Sequence, residues 1–398
     1  MRISTSQMYS QCLKYMGSSL SDVSELNAMN ASQKRLNNPS DDPAGMGKVM
    51  DLRAYDAALS GYVDNCGVAG EYLSLADEVL QQASENLTAV LEQAEQAATE
   101  TYTDVQMEMM GDELGSYIDS LFAISNTQMG TDYIFAGDDF QSNAFEKGLG
   151  VTLTNDSLTH ADFVSITGEI DATVLQVRFE SAGQVGTDAL NYSYSTDNGD
   201  TWQTATLAAG DTTLTIGSCE VELAAGIAVT AADDDGNGTR FMVREAMRYT
   251  GGDETMSVSI SSSSQVDMTT CGNSIFGGVD PETGQPYEGE NLFETLCDCM
   301  AYMETGDSAG VAECVEKIRS AYENVEAANA NVGARESKID YTKASLSVVR
   351  STTSTSISRE EDADTAQILV EYEQANTVYQ AVLSTTSKVM STSLLDYL

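Results

Sequence analysis

The sequence predicts an α+β protein: a long antiparallel, coiled-coil-like helical rod formed by the N- and C-terminal segments, with an all-β domain inserted between them. Three observations carry that expectation. Apolar residues recur in steps of three and four towards both ends of the chain, the period of a helical seam. Between about Gly148 and Ser264 the period drops to two, with turn signals such as Asp197-Asn198-Gly199 separating the runs. The four prolines, Pro39, Pro43, Pro281 and Pro286, fall in two clusters and leave the rest of the chain free to form long elements.

Residues 1–40 read as an N-terminal assembly helix, with Leu13, Met16, Leu20 and Val23 on one face. Asn37-Asn38-Pro39-Ser40-Asp41-Asp42-Pro43 is a dense turn with helix-start chemistry. Residues 41–145 carry the N-terminal part of the rod. Its seam is Leu73, Ala76, Leu80, Ala83, Leu87, Val90, Ala94 and Ala97, and a turn near Thr101–Asp104 leads into a second helical stretch from Met110 to Met129. Residues 146–290 form a β-rich surface domain of short antiparallel strands, among them 173–179, 191–195 and 256–260. Residues 291–345 return to the helical period through Val311, Val315, Ile318, Tyr322, Val325, Asn329, Val332, Glu336 and Ile339.

The stretch from Ser345 to Ser358 holds nine Ser or Thr in fourteen positions, so it is expected to interrupt the helix. The last segment, 346–398, is a C-terminal assembly helix expected to begin at Ser358 or soon after. Glu360, Glu361 and Asp362 would then sit in its first turn, where acids complement the helix dipole. Its seam is Leu369, Tyr372, Asn376, Tyr379, Leu383, Thr386, Met390, Ser393 and Tyr397, flanked by Ile368, Ala375, Val382 and Val389. Isolated helices are marginal in water, so the first is expected to pair with the last and the second set with 310–343. A rod built that way has little core of its own and needs neighbours.

Composition narrows the function. With 62 acidic against 19 basic residues the net charge is −43, which repels phosphate backbones and anionic lipid; neither nucleic acid nor membrane is an expected partner. No run of 18 apolar residues is present, and the N-terminus lacks the apolar core of a secretory leader. A single histidine, His160, leaves no His-based triad or multi-His metal site. The seven cysteines are odd in number, which excludes a fully bridged framework. Cys297 and Cys299, two apart on a helix, diverge by about 200° and read as small buried hydrophobes.

Four patterns have a chemical reading. Ser195-Thr196-Asp197-Asn198-Gly199-Asp200-Thr201-Trp202 is an Asp box, in which Ser and Asp satisfy a hairpin's backbone, Gly takes the awkward dihedral and Trp is expected to plug the core. Sialidases carry such boxes, but they also need an arginine cluster, and the middle region offers just Arg178, Arg240, Arg244 and Arg248. Asp233, Asp235 and Asn237 fit the opening of a calcium loop, yet position 12 is Arg244, so an acidic turn is favoured over a metal site. Asp41-Asp42 and Glu360-Glu361-Asp362 read as helix caps rather than as acid/base pairs. No phosphate loop, nucleophile elbow or cofactor fingerprint occurs, so neither catalysis nor a cofactor is expected.

Met1-Arg2-Ile3-Ser4-Thr5, the turn from Asn37 to Gly45, Gly130-Thr131-Asp132-Tyr133-Ile134-Phe135-Ala136-Gly137 and Asp362-Ala363-Asp364-Thr365-Ala366 resemble the flagellin superfamily. Within it they are most similar to the branch that joins hook to filament, the third hook-associated type. The resemblance covers roughly the first 145 and last 100 residues. It implies a non-enzymatic, extracellular part of the bacterial flagellum, exported through the flagellar type III channel without a cleaved signal. It also implies a homo-oligomeric ring, the first hook-associated protein on the hook side, flagellin on the other, and an export chaperone near the last helix. The rival readings are a flagellin that builds the filament itself, and a carbohydrate-binding β-domain on a helical stalk.

Overall fold

The structure is a computed structural model that describes residues 5–99, 102–170, 172–233, 237–281 and 283–395. Its helices are α1 (Thr5–Ser32), α2 (Pro43–Ala97), α3 (Asp104–Ser125), α4 (Asn273–Phe276), α5 (Leu292–Glu304), α6 (Ser308–Glu361) and α7 (Thr365–Leu395). The chain divides into two compact units, one holding the residues up to Asp64 and from Thr342 onward, the other Asn65–Tyr341. The α+β class and the pairing of N- with C-terminal helices are as the sequence predicts.

In the first unit α1 packs on α7. Asp42 starts α2: its carboxylate accepts from Gly45 N–H at 3.0 Å while its carbonyl accepts from Met46 at 2.8 Å. The Gly45 bond is the main reason the Asp42 carboxyl is held below its usual range. Asp41 turns the other way and takes the N–H groups of Asn37 and Asn38, at 3.2 and 2.7 Å. Asp42 therefore caps α2 as expected, whereas Asp41 ties down the turn that precedes it instead of the helix.

Two expectations for the C-terminal part need correction. The helix is not interrupted between Ser345 and Ser358, because α6 runs on to Glu361. The hydroxyls expected to compete with the helix bond back into it instead. Ser347, Thr352, Thr353, Thr355 and Ser356 each donate to the carbonyl four residues earlier, at 2.9–3.0 Å. Glu360 and Glu361 consequently close α6 rather than open the last helix, and Asp362 follows them. Asp364 caps α7 in their place, accepting from Ala366 and Gln367 N–H at 3.0 and 3.2 Å.

In the second unit all eight predicted seam residues of α2, Leu73 to Ala97, are buried, and Val311, Val315, Ile318, Val325, Val332 and Ile339 of α6 are buried as well. Arg319 of α6 meets Glu95 of α2 at 2.8 Å. α3 stops at Ser125, short of the expected Met129. Gln128 and Met129 pair instead with Tyr133 and Asp132 in a small hairpin, whose turn needs Gly130 at φ 70.

The β-module holds two main sheets, beside two short ribbons that pair 183–184 with 228–229 and 257–259 with 265–267. The strands of the main sheets are β1 (Phe145–Leu153), β2 (Phe163–Gly168), β3 (Val174–Phe179), β4 (Leu190–Ser195), β5 (Gln203–Leu207), β6 (Thr213–Ile216), β7 (Cys219–Leu223) and β8 (Arg240–Tyr249). One antiparallel sheet has the order β1-β8-β3-β4-β5 and the other β2-β7-β6. Both contribute to a single core that includes Val151, Phe163, Val177, Phe179, Tyr192, Val221 and Phe241. α5 is buried along almost its whole length against α3 and β8, which explains why Cys297 and Cys299 are both buried on it.

Candidate assembly surface

The sites that position the terminal helices lie in the first unit. The segment after α1 and the segment after α6 run antiparallel for a short distance, with Lys34 bridged to Asp362. Arg35 N–H donates to the Glu361 carbonyl at 2.8 Å, and Ala363 N–H to the Gln33 carbonyl at 3.1 Å. Gln33 takes φ 58, a left-handed residue that ends α1. Glu361, on the last turn of α6, is buried and grips two cations: Arg53 at 2.5 Å and Lys34. Burial alone would push the Glu361 carboxyl up, but the bonds from Lys34 and Arg53 outweigh it and hold the group below its usual range. Arg350 of α6 also meets Asp56 of α2 at 3.2 Å.

Outward from this clasp, α1 and α7 leave apolar residues uncovered. Tyr372, Asn376 and Tyr379 of the predicted seam are half-buried, as are Ala375 and Val382, while Ile368 and Thr386 are buried. Leu369 and Leu383 are 52% and 40% exposed, with Val370 and Val378 exposed beside them. On α1 the predicted face splits: Met16 and Val23 are half-buried, whereas Leu13 and Leu20, one heptad apart, are 43% and 51% exposed. Met390 and Tyr397 lie outside the residues whose side chains are described, as does the Met1–Ser4 motif. The predicted seam is thus two lines, one spent inside the α1–α7 pair and one left open. Its period was visible in the sequence; which of the two lines the partner helix covers was not.

The other predicted sites behave structurally. In the Asp box Ser195 Oγ donates to Asp197 Oδ1 at 2.7 Å, and Asp197 accepts from Thr201 N–H and Oγ1 at 2.8 and 2.6 Å. Trp202 does not plug the core; it is half-buried and lies under the Arg178 guanidinium, 4.1 Å from the ring centroid. The Asp233 carboxylate accepts both Asn237 N–H at 2.8 Å and the Asn237 amide, while Asp235 lies outside the described residues. Arg244 is fully buried, held by Glu294 and Asp298 at 2.7 Å each and by Thr152 at 2.8 Å. That pinning of β8 to α5 has no clear sequence signal, since its partners are 50 and 54 positions away. Among the described residues no group of three or more His, Cys, Asp or Glu is arranged to hold a metal, and no helix is long and apolar enough to cross a membrane.

Paired terminal helices with an uncovered apolar stripe, and a β-module inserted between them in sequence, define a structural rather than a catalytic class of protein. The chain belongs to the flagellin family: the bacterial flagellin N-terminal helical region matches residues 3–139 and the C-terminal helical region residues 315–398. It is 27% identical over 186 residues to flagellar hook-associated protein 3 of Salmonella typhimurium, covering 46% of this chain and 56% of that one. It is 28% identical over 151 residues to flagellar hook-associated protein 3 of Escherichia coli, covering 38% and 48%. The matched part spans about half the length of these curated relatives. Among solved structures, a putative flagellar hook-associated protein from Vibrio parahaemolyticus aligns at 15% identity and TM-score 0.49, over 81% of this chain and all of that one. FlgL from Bacillus cereus aligns at 12% identity and TM-score 0.44, over 77% and 99%.

Proposed function

We propose that this chain is the adaptor that joins hook to filament in the bacterial flagellum, acting as a homo-oligomeric ring. The observation that carries the reading is the sequence match to two hook-associated protein 3 relatives inside the flagellin family. The uncovered leucines of α1 (Leu13, Leu20) and of α7 (Leu369, Leu383) support it, because a ring neighbour is what such exposed apolar positions lack. In this reading 1–40 and 346–398 are the assembly helices, 41–145 and 291–345 the rod, and 146–290 an outward module. The seam from Leu369 through Tyr372, Asn376, Tyr379 and Leu383 to Met390 and Tyr397 carries the contacts. The first hook-associated protein and flagellin flank the ring, and an export chaperone holds the last helix before assembly.

Immunogold electron microscopy of intact flagella, with antibody against residues 146–290, tests the proposal. A band at the hook–filament boundary is expected. Label along the whole filament would make the chain a flagellin, and unlabelled flagella would overturn both.

A further inference from the structure

Among the described residues, every arginine shielded from solvent has a protein partner except one. Arg178 bonds Glu180, Arg240 donates to the carbonyls of Asp233 and Asn237, and Arg244 is held by Glu294. Arg319, Arg335 and Arg350 pair with Glu95, Asn331 and Asp56. Arg248 on β8 is half-buried, and its buried Nε has no hydrogen-bond partner. Glu146 stands opposite it in register on β1, yet is exposed, and no ion pair joins the two. In a chain with 62 acids to 19 bases, a half-buried arginine left without any side-chain hydrogen-bond partner is the exception that calls for one.

The surroundings are shaped for one. A Cβ at Gly148 would fall 2.4 Å from Arg248 Nε, so only glycine lets this side chain lie across β1. Arg248 lines a cavity of about 190 Å³ bounded by β1, β2 and, beyond them, Val279, Pro281, Gly284 and Pro286. His160, the only histidine of the chain, lines the same cavity, as do Thr167, Thr283 and Phe163. Glu294 reaches it too, but its carboxylate is already bonded to Arg244 at 2.7 Å.

We propose that this cavity binds a small oxyanion, a carboxylate or a phosphate, gripped by Arg248. The guanidinium offers a planar fork of donors that matches either group in bidentate fashion. The hydroxyls of Thr167 and Thr283 and one imidazole nitrogen of His160 supply further donors at the wall. The volume is below the roughly 300–1,000 Å³ of drug-sized sites, so the ligand is a small acid or a phosphate rather than a folded partner. The site belongs to the β-module and does not depend on the junction reading.

His160 gives the full-length chain a single imidazole resonance, which reports the cavity directly. Sodium glucuronate and sodium phosphate are titrated separately at constant ionic strength. A saturable shift with one of them is expected, and which one responds identifies the source of the anion. Arg248→Gln should weaken that binding at least tenfold. Arg248→Lys keeps the charge but loses the fork, and should weaken it about three- to tenfold. No saturable shift with either anion at tens of millimolar overturns the proposal, as does wild-type affinity in Arg248→Lys. The lysine variant decides the question if the glutamine variant fails to fold.

Discussion

Glu361 and Arg53 meet across 308 positions of sequence through two hydrogen bonds of 2.5 and 2.6 Å, and Lys34 approaches the same carboxylate from the segment after α1. The Glu361 side chain is 6% exposed, while those of Arg53 and Lys34 are 53% and 42% exposed. The clasp is therefore asymmetric. Removing the acid leaves two cations that water can solvate; removing both cations leaves a buried carboxylate with none.

We expect Glu361→Ala to cost about 1–2 kcal/mol and Lys34→Ala/Arg53→Ala about 3 kcal/mol or more. Hydrogen exchange of residues 33–36 and 358–364 reads the difference locally, which suits a chain of two units. The Glu361 carboxyl titrates below its ordinary value, so its contribution is fully present above the unfolded pKa of about 4.5 and is lost as pH falls through the lower folded value. Equal loss in the two variants would refute the asymmetry, and wild-type protection in both would show that the clasp does not hold these segments.

Glu304, at the end of α5, has the opposite bias. It is buried, its Oε1 is unpaired, and its Oε2 accepts from the Asn198 amide of the Asp-box turn at 3.2 Å. Burial raises the carboxyl to about 7 despite the Asn198 bond, and Asp112 and Glu108 of α3 add to the rise. With the folded pKa above the unfolded one, stability falls as pH rises from about 4.5 to about 7 and levels beyond. The upper bound on that loss is about 3 kcal/mol. Glu304→Gln should flatten the slope and stabilise the chain at pH 8, read by thermal unfolding at several pH values. An unchanged slope would assign it to other groups.

The helical ends and the β-module were legible because period and turn chemistry are local. The Leu73–Ala97 seam and the Ser195–Thr201 hairpin needed nothing from the rest of the chain. The Ser345–Ser358 stretch was misread because propensity counts the hydroxyls as competitors, whereas inside a packed helix they bond back to Val348, Val349 and Ser351. That error displaced Glu361 from a clasp to a cap. Trp202 was misplaced because a lone tryptophan suggests a core, and the Arg178 face that covers it becomes adjacent only in the folded sheet.

The cysteines should divide sharply in reactivity. Cys12 on α1 is half-buried, and the other six are buried. Burial pushes the Cys297 thiol up to about 12; for Cys299 a hydrogen bond with Cys314, then burial, raises it well above its ordinary value. Thiolate is the reacting species, so iodoacetamide at pH 7.5 should modify Cys12 at least tenfold faster than any other position. Mass spectrometry of the labelled peptides reads this. Early labelling of Cys297 or Cys299 would show that α5 opens in the native chain.

The open stripe makes the last prediction. Leu369→Ser/Leu383→Ser changes two residues already 52% and 40% exposed, so monomer stability should shift by less than about 1 kcal/mol. Assembly should fail, because each replaced side chain, about half exposed in the monomer, forgoes roughly 0.7–1.5 kcal/mol of burial at each contact of the proposed ring. Leu383→Pro differs in kind: it removes a backbone donor within α7 and costs about 3 kcal/mol or more in the monomer itself. Comparing the two separates a helix that must exist from a stripe that must be covered. A net charge of −43 on each copy opposes packing, so assembly of the wild-type chain should strengthen between about 0.01 and 0.5 M salt as the screening length falls. Motility and sedimentation measure the outcome. A serine double variant that still assembles and swims would mean that the stripe is not the contact, whatever the wild type does in salt.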